Sequence, residues 1–172
     1  KDGNMAVLRD LYRLTQIVKQ RYPDKPYFLL GHSMGSFYAR QYLCEFGEEL
    51  DGAIISGTGY QRRILVKLGR MLTLVLAAFK GWRYRSSFVD RMAFGGYNKR
   101  FEPARTSKDW LTKDERIVDE YLSDERCNFI FTLNAYCNMF LGIDRLYDKN
   151  FLTRMPKMLP VFFISGTDDP VG

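Results

Sequence analysis

The 172 residues, 46% apolar and 15% aromatic, are enough for one domain with a real core and too rich in hydrophobic side chains for disorder. The net charge of +6 suits an ordinary basic surface, and the cations are not interleaved with a recognisable nucleic-acid-binding module, so nucleic acid is not an expected partner. Three cysteines, Cys44, Cys127 and Cys137, have no C-x-x-C spacing, which argues against a disulfide framework or a zinc site and fits a reducing cytoplasm; no metal or other cofactor is expected.

Residues 5–21 place Val7, Leu8, Leu11, Leu14, Ile17 and Val18 at helical spacing, and Pro23 and Pro26 end the pattern. No signal-peptide pattern opens the chain, which starts inside this helical pattern. Residues 27–30 form a continuous apolar run, expected of a strand buried on both faces of a parallel sheet. A second helix carries Phe37, Tyr38, Tyr42, Leu43 and Phe46 and closes near Gly47. Ala53-Ile54-Ile55 and Val161-Phe162-Phe163-Ile164 read as two more buried strands, ending in Ser56-Gly57-Thr58-Gly59 and Ser165-Gly166-Thr167-Asp168-Asp169-Pro170. The alternation predicts a doubly wound α/β sheet, mostly parallel with helices on both faces, and ligands bind at the carboxyl ends of such strands. Residues 60–155 are too long for a plain crossover. They read as an inserted helical cap, with helices near 64–79, 113–122 and 129–147 and an irregular passage near 94–106. The division is thus core over 1–59, cap over 60–155 and core again over 156–172.

The chemistry concentrates at Gly31-His32-Ser33-Met34-Gly35. G-x-S-x-G between a strand and a helix is the nucleophile-elbow pattern, in which a sharp turn strains the serine and lifts its hydroxyl off the sheet. The flanking glycines are expected to avoid collisions with the neighbouring strand and helix. A serine hydroxyl needs a base, which a histidine supplies when a carboxylate orients it. Ser33 is the candidate nucleophile, and the backbone N–H of Met34 is a candidate oxyanion donor. Asp168 and Asp169 both stand where chain order places the acid, and spacing does not choose between them. His32, the only histidine, sits on the strand side of the turn and is expected to pack and hydrogen-bond along the site rather than act as base.

Residues 60–89 carry seven cations and no acid, and Ile64, Leu65, Leu68, Leu72, Val75, Leu76 and Phe79 form an apolar stripe. The ordinary expectation puts that stripe on the core and the charges in water. The other is weak peripheral contact with a lipid surface. An apolar cap over the serine favours a substrate with an acyl portion, and Trp82, Trp110 and the tyrosines are candidate pocket residues.

The elbow, preceded by Pro26-Tyr27-Phe28-Leu29-Leu30 and followed by Ser36, resembles the α/β-hydrolases of the monoacylglycerol lipase, lysophospholipase and serine aminopeptidase group. Gly166 through Gly172 is similar to that group's acid turn, and the aspartate directly before Pro-Val there points to Asp169. Phe94-Gly95-Gly96-Tyr97-Asn98-Lys99 and Asp109-Trp110-Leu111, with Asp124, Cys127 and residues 129–132, look like the cap of bacterial members. The resemblance implies an α/β-hydrolase fold incomplete at both termini. It also implies that the first strands, a His-Gly loop with the second oxyanion donor, the base histidine and the last helix are missing. The expected activity is hydrolysis of carboxylic esters, monoacylglycerol or lysophospholipid among them, through an acyl-enzyme on Ser33. The alternatives are an aminopeptidase of the same fold and a non-catalytic binding protein. The 172-residue chain alone is expected to be inactive, and a Ser33-dependent esterase rate from it would refute that.

Overall fold

The computed structural model describes residues 2–171. Gly172, which closes the expected acid turn, lies outside them, as does Lys1. Three parallel strands, β1 (Phe28–His32), β2 (Gly52–Ser56) and β3 (Val161–Ile164), pair in the order β1-β2-β3. Leu30 faces Ile54 and Ile54 faces Phe162 across the ladder.

Helix α1 (Gly3–Arg21) starts earlier than its apolar period because Asp2 caps it, accepting the Met5 N–H at 3.0 Å. Helix α2 (Met34–Phe46) follows the elbow. Leu8 of α1 and Tyr42 and Leu43 of α2 are buried against Ala53 and its same-face neighbours Leu29 and Val161. The Tyr42 hydroxyl donates to Thr15 Oγ1 at 2.8 Å and ties the two helices together. Alternate strand residues point the other way, and there Phe28, Leu30 and Phe162 are 59%, 62% and 60% exposed. The two-face burial expected of residues 27–30 is therefore met on one face only, because the described helices form one layer on the sheet.

Between β2 and β3 lie α3 (Arg63–Lys80), α4 (Ser87–Phe94), α5 (Glu115–Ser123), α6 (Leu133–Arg145) and α7 (Lys149–Leu152). Helix α6 is the spine of this block. Its Leu133, Tyr136, Met139 and Ile143 form a second core with Val66, Ala77 and Val89. Helix α3 meets α6 through a seam of smaller residues, Val66, Gly69, Thr73 and Ala77. A Cβ on Gly69 would stand 3.0 Å from the Phe140 ring. The stripe expected to face the core is not packed into it: Ile64, Leu65, Leu68, Val75 and Phe79 are exposed, only Leu72 and Leu76 are half-buried, and Leu65, Leu68 and Leu72 face a cavity. Close packing of two helices selects small side chains at the contact, so the large ones turn away.

Periodicity does not mark helix α4; Ser86 caps it by accepting the Val89 N–H at 3.3 Å. The helix expected over 129–147 begins at Leu133, because Thr132 bridges to Arg85 as a short strand pair and then caps the helix.

The block is fixed to the sheet layer where α6 crosses α1 and α2. Asn4 Nδ2 donates to Gln41 Oε1 at 2.7 Å, and the Asn4 N–H donates to Asn138 Oδ1 at 3.1 Å. Gly142 lies directly over this pair, where a Cβ would sit 2.3 Å from Asn4 Oδ1 and 2.6 Å from Gln41 Nε2. Nearby, Glu45 accepts from both Arg145 and Arg154, and the Arg145 guanidinium stacks 4.2 Å above Phe151.

Gly142→Ala is expected to lower unfolding stability by about 1–3 kcal/mol through overpacking. Thr132→Ala, which removes the α6 cap, is expected to lower it by about 1 kcal/mol. Urea titration of the two variants measures both.

Candidate active site

The end of β1 and the start of α2 are joined by one residue in an unusual conformation. Ser33, at φ 51° and ψ −120°, is the only non-glycine residue with positive φ among those described. Such a backbone costs about 1–3 kcal/mol and persists only where the surroundings over-determine it. They do so here. The Ser33 N–H donates to Ser56 O at 2.9 Å, which extends the strand ladder past its end. The Ser33 carbonyl accepts from both the backbone N–H and the hydroxyl of Ser36. Ser36 Oγ also lies 2.7 Å from Thr58 Oγ1, so the turn after β2 is tied to the elbow.

The two flanking glycines differ. A Cβ on Gly31 would stand 2.5 Å from Ala39 Cβ and 2.8 Å from Gly35 O, so only glycine lets α2 approach β1. Gly35 would meet nothing within 4 Å, so the collision expected on that side does not occur among the described residues. Met34 is the first residue of α2, where backbone N–H groups have no intrahelical acceptor and point outward.

The two aspartates of the turn after β3 part ways. Asp168 pairs with Lys113 Nζ at 2.8 Å, and that ammonium holds its carboxyl below the ordinary carboxylate range. Asp169 stays within its own turn: Oδ2 accepts from Ser165 Oγ at 2.8 Å and Oδ1 from the Val171 N–H at 2.9 Å. Asp169 also faces the strand ends. A Cβ on Gly57, which has φ 53°, would touch Asp169 Oδ2 at 3.3 Å on one side and His32 Cε1 at 3.2 Å on the other. His32 is exposed, and its Nδ1 lies 3.1 Å from Ser56 Oγ, so it hydrogen-bonds along the site with little packing. Burial pushes the Tyr97 hydroxyl pKa up, and the nearby Asp169 charge adds to it.

Ser33 borders two cavities. One, of about 430 Å³, runs under the helical block and is walled by apolar side chains, among them Phe37, Leu65, Leu72, Phe94, Phe140 and Ile143. The other, of about 550 Å³, is more polar and reaches His32, Ser56, Thr112, Lys113, Asp168 and Asp169. Trp110 and Tyr97 line the apolar cavity as expected of them. Trp82 lines neither; it is 47% exposed, and its carbonyl accepts the Asn134 N–H. Ser36, Thr58, Ser165 and Lys113 also shape the site. No motif in the sequence marks them, although Ser165 and Thr58 stand in the turns after β3 and β2.

Residues 2–172 match the family model described as serine aminopeptidase, S33. The chain belongs to this family. A thermostable carboxyl esterase from Bacillus coagulans, in complex with glycerol, superposes with a TM-score of 0.87 at 28% identity over 98% of this chain and 55% of its own. A lipase in an open form gives a TM-score of 0.84 at 21% identity over 100% of this chain and 56% of its own. A soluble variant of monoglyceride lipase from Saccharomyces cerevisiae, in complex with a substrate analog, gives 0.65 at 19% identity over 97% and 51%. The last two likenesses carry the fold alone, which is the α/β-hydrolase fold. The chain spans about half the length of these relatives in structure. No curated protein matches it. Among the described residues, this S33 family member has no helix long and apolar enough to cross a membrane and no cluster of three or more metal-ligating side chains.

Ser33→Gly is expected to raise unfolding stability by about 1 kcal/mol, because glycine relieves the strain at this φ and gives back only part of it in chain entropy. Ser33→Ala should leave stability unchanged, since alanine keeps the strain. Thermal unfolding of the two variants side by side checks this.

Proposed function

We propose that this chain carries the nucleophile and acid of a serine hydrolase that cleaves carboxylic esters with an apolar acyl group, monoacylglycerols and lysophospholipids being the substrate classes. The observation that carries the reading is Ser33, held in a strained turn at the meeting point of an apolar and a polar cavity. Ser33 Oγ attacks the ester carbonyl, and the Met34 N–H donates to the oxyanion. A histidine from outside residues 1–172 takes the serine proton and passes it to the leaving alcohol, and the acyl-enzyme is then hydrolysed by water. Asp169 fixes the tautomer of that histidine. Asp169, which its own turn holds against the strand ends beside Gly57, is favoured for this role over Asp168, which reaches away to Lys113. Residues 60–155 act as the cap that shields the site from water.

An aminopeptidase would need a carboxylate free to hold the substrate ammonium. Asp168 pairs with Lys113, and Asp109 accepts from the Thr106 hydroxyl and the backbone N–H groups of Arg105 and Thr106, so neither is free. That favours the ester reading. Ile64, Val75 and Phe79, exposed on α3 outside both cavities and beside an acid-free basic stretch, support weak peripheral contact with anionic lipid.

In the longer protein that contains this segment and the base histidine, a fluorophosphonate probe is expected to add to Ser33 and to fail on Ser33→Ala, read by intact mass. Asp169→Asn should lower kcat by about 10⁴-fold, the loss typical of a triad acid, and Asp168→Asn should change it little. Labelling that survives Ser33→Ala would refute the assignment.

A further inference from the structure

The two cavities at Ser33 are nearly separate. Among the described residues, the side chains that wall both are Ser33, Val171 and Trp110. Ser33 and Val171 come from the sheet side, so Trp110 is the one wall they share from the helical block. Its position is closely held. The backbone N–H of Trp110 donates to Asn98 Oδ1 at 3.0 Å, and Asn98 Nδ2 donates to Thr106 O at 2.6 Å. Asp109, the preceding residue, accepts the backbone N–H groups of Arg105 and Thr106 at 2.6 and 2.9 Å. The Tyr97 ring packs 4.9 Å from the indole at 58°. The passages 94–99 and 109–111, whose roles the elbow chemistry leaves open, thus converge on one half-buried aromatic side chain.

A side-chain amide, a carboxylate and a second aromatic ring all act here to hold a loop in place. An indole pairs a rigid apolar body with a single N–H donor, so it suits a boundary between greasy and polar space. An ester lying across Ser33 with its acyl chain under α3 and its alcohol towards Lys113 must pass beneath this ring.

We propose that Trp110 is the residue that sets the direction of the ester across Ser33, with the acyl chain in the Leu72–Phe140 cavity and the alcohol at the Thr112–Lys113 end of the polar cavity, the space between Ser33 and Asp169 being left to the base histidine. This rests on the ester-hydrolase reading. It adds a specificity-determining residue that takes no part in the bond-making steps.

The test uses the chain itself and a ligand that cannot be cleaved. Trp82→Phe leaves Trp110 as the sole tryptophan. Titration of this variant with 1-O-alkylglycerols, in which an ether replaces the ester, is expected to shift Trp110 emission saturably. Affinity should rise about three- to fourfold per added methylene until the cavity is full. By calorimetry, Trp110→Phe should bind decylglycerol within about twofold of Trp82→Phe, and Trp110→Ala about tenfold more weakly, as a lost aromatic contact of this kind implies. Leu30→Ser on the exposed sheet face should change nothing. Calorimetric binding with silent Trp110 emission, or undiminished binding by Trp110→Ala, would overturn the role of Trp110 and leave the ester reading standing. No calorimetric binding of any chain length would overturn the placement of the acyl chain under Trp110, and the labelling of Ser33 in the longer protein tests the ester reading separately.

Discussion

Gly142 is the residue on which the arrangement turns. With no side chain there, α6 settles onto the Asn4–Gln41 hydrogen bond and so onto α1 and α2 at once. Helix α6, set by that crossing and by the Glu45 pairs with Arg145 and Arg154, is what the rest of the helical block packs on. Helix α3 lies along α6 through Gly69 and its small neighbours, and Tyr136 of α6 reaches Asp90 of α4 with its hydroxyl at 2.6 Å. The same α6 presents Phe140 and Ile143 to the apolar cavity. The joint that docks the helical block therefore also sets the distance between the cavity wall and the helix that follows Ser33.

At the strand ends the logic is one of restraint by hydrogen bonds rather than by burial. Ser33 is held by Ser56 from the side and by Ser36 from below, and Ser36 is linked in turn to Thr58. Asp169 is held by Ser165 and Val171 within a tight turn. Short polar side chains near a sheet edge place these groups at low entropic cost, and they leave the reacting faces open to a ligand. Two adjacent carboxylates with the same local sequence context acquire different surroundings because one reaches outward to a lysine of the helical block and the other does not.

Much of this was legible in the residues, and the reasons differ by element. Strand runs such as Val161–Ile164 and the Gly-x-Ser-x-Gly turn are local signals, fixed by sterics within a few residues, and the structure places them there. The orientation of α3 was not legible. Hydrophobic periodicity identified its apolar stripe, but α3 packs through Gly69, Thr73 and Ala77, which a hydrophobicity pattern ranks low. Helix α4 is short, and its signal is the Ser86 cap rather than a long period. The start of α6 at Leu133 depends on a pairing with Arg85, which is 47 residues away from Thr132 in sequence. Trp82 and Trp110 are alike in composition, and only the fold of the intervening loops separates a cavity wall from a surface ring.

The bare face of the sheet and its two outer strands are the places where this fold can be extended. β2 is paired on both sides, whereas β1 and β3 each have a single partner among the described residues. An unpaired strand edge beside exposed Phe28, Leu30 and Phe162 is a template for adding another strand.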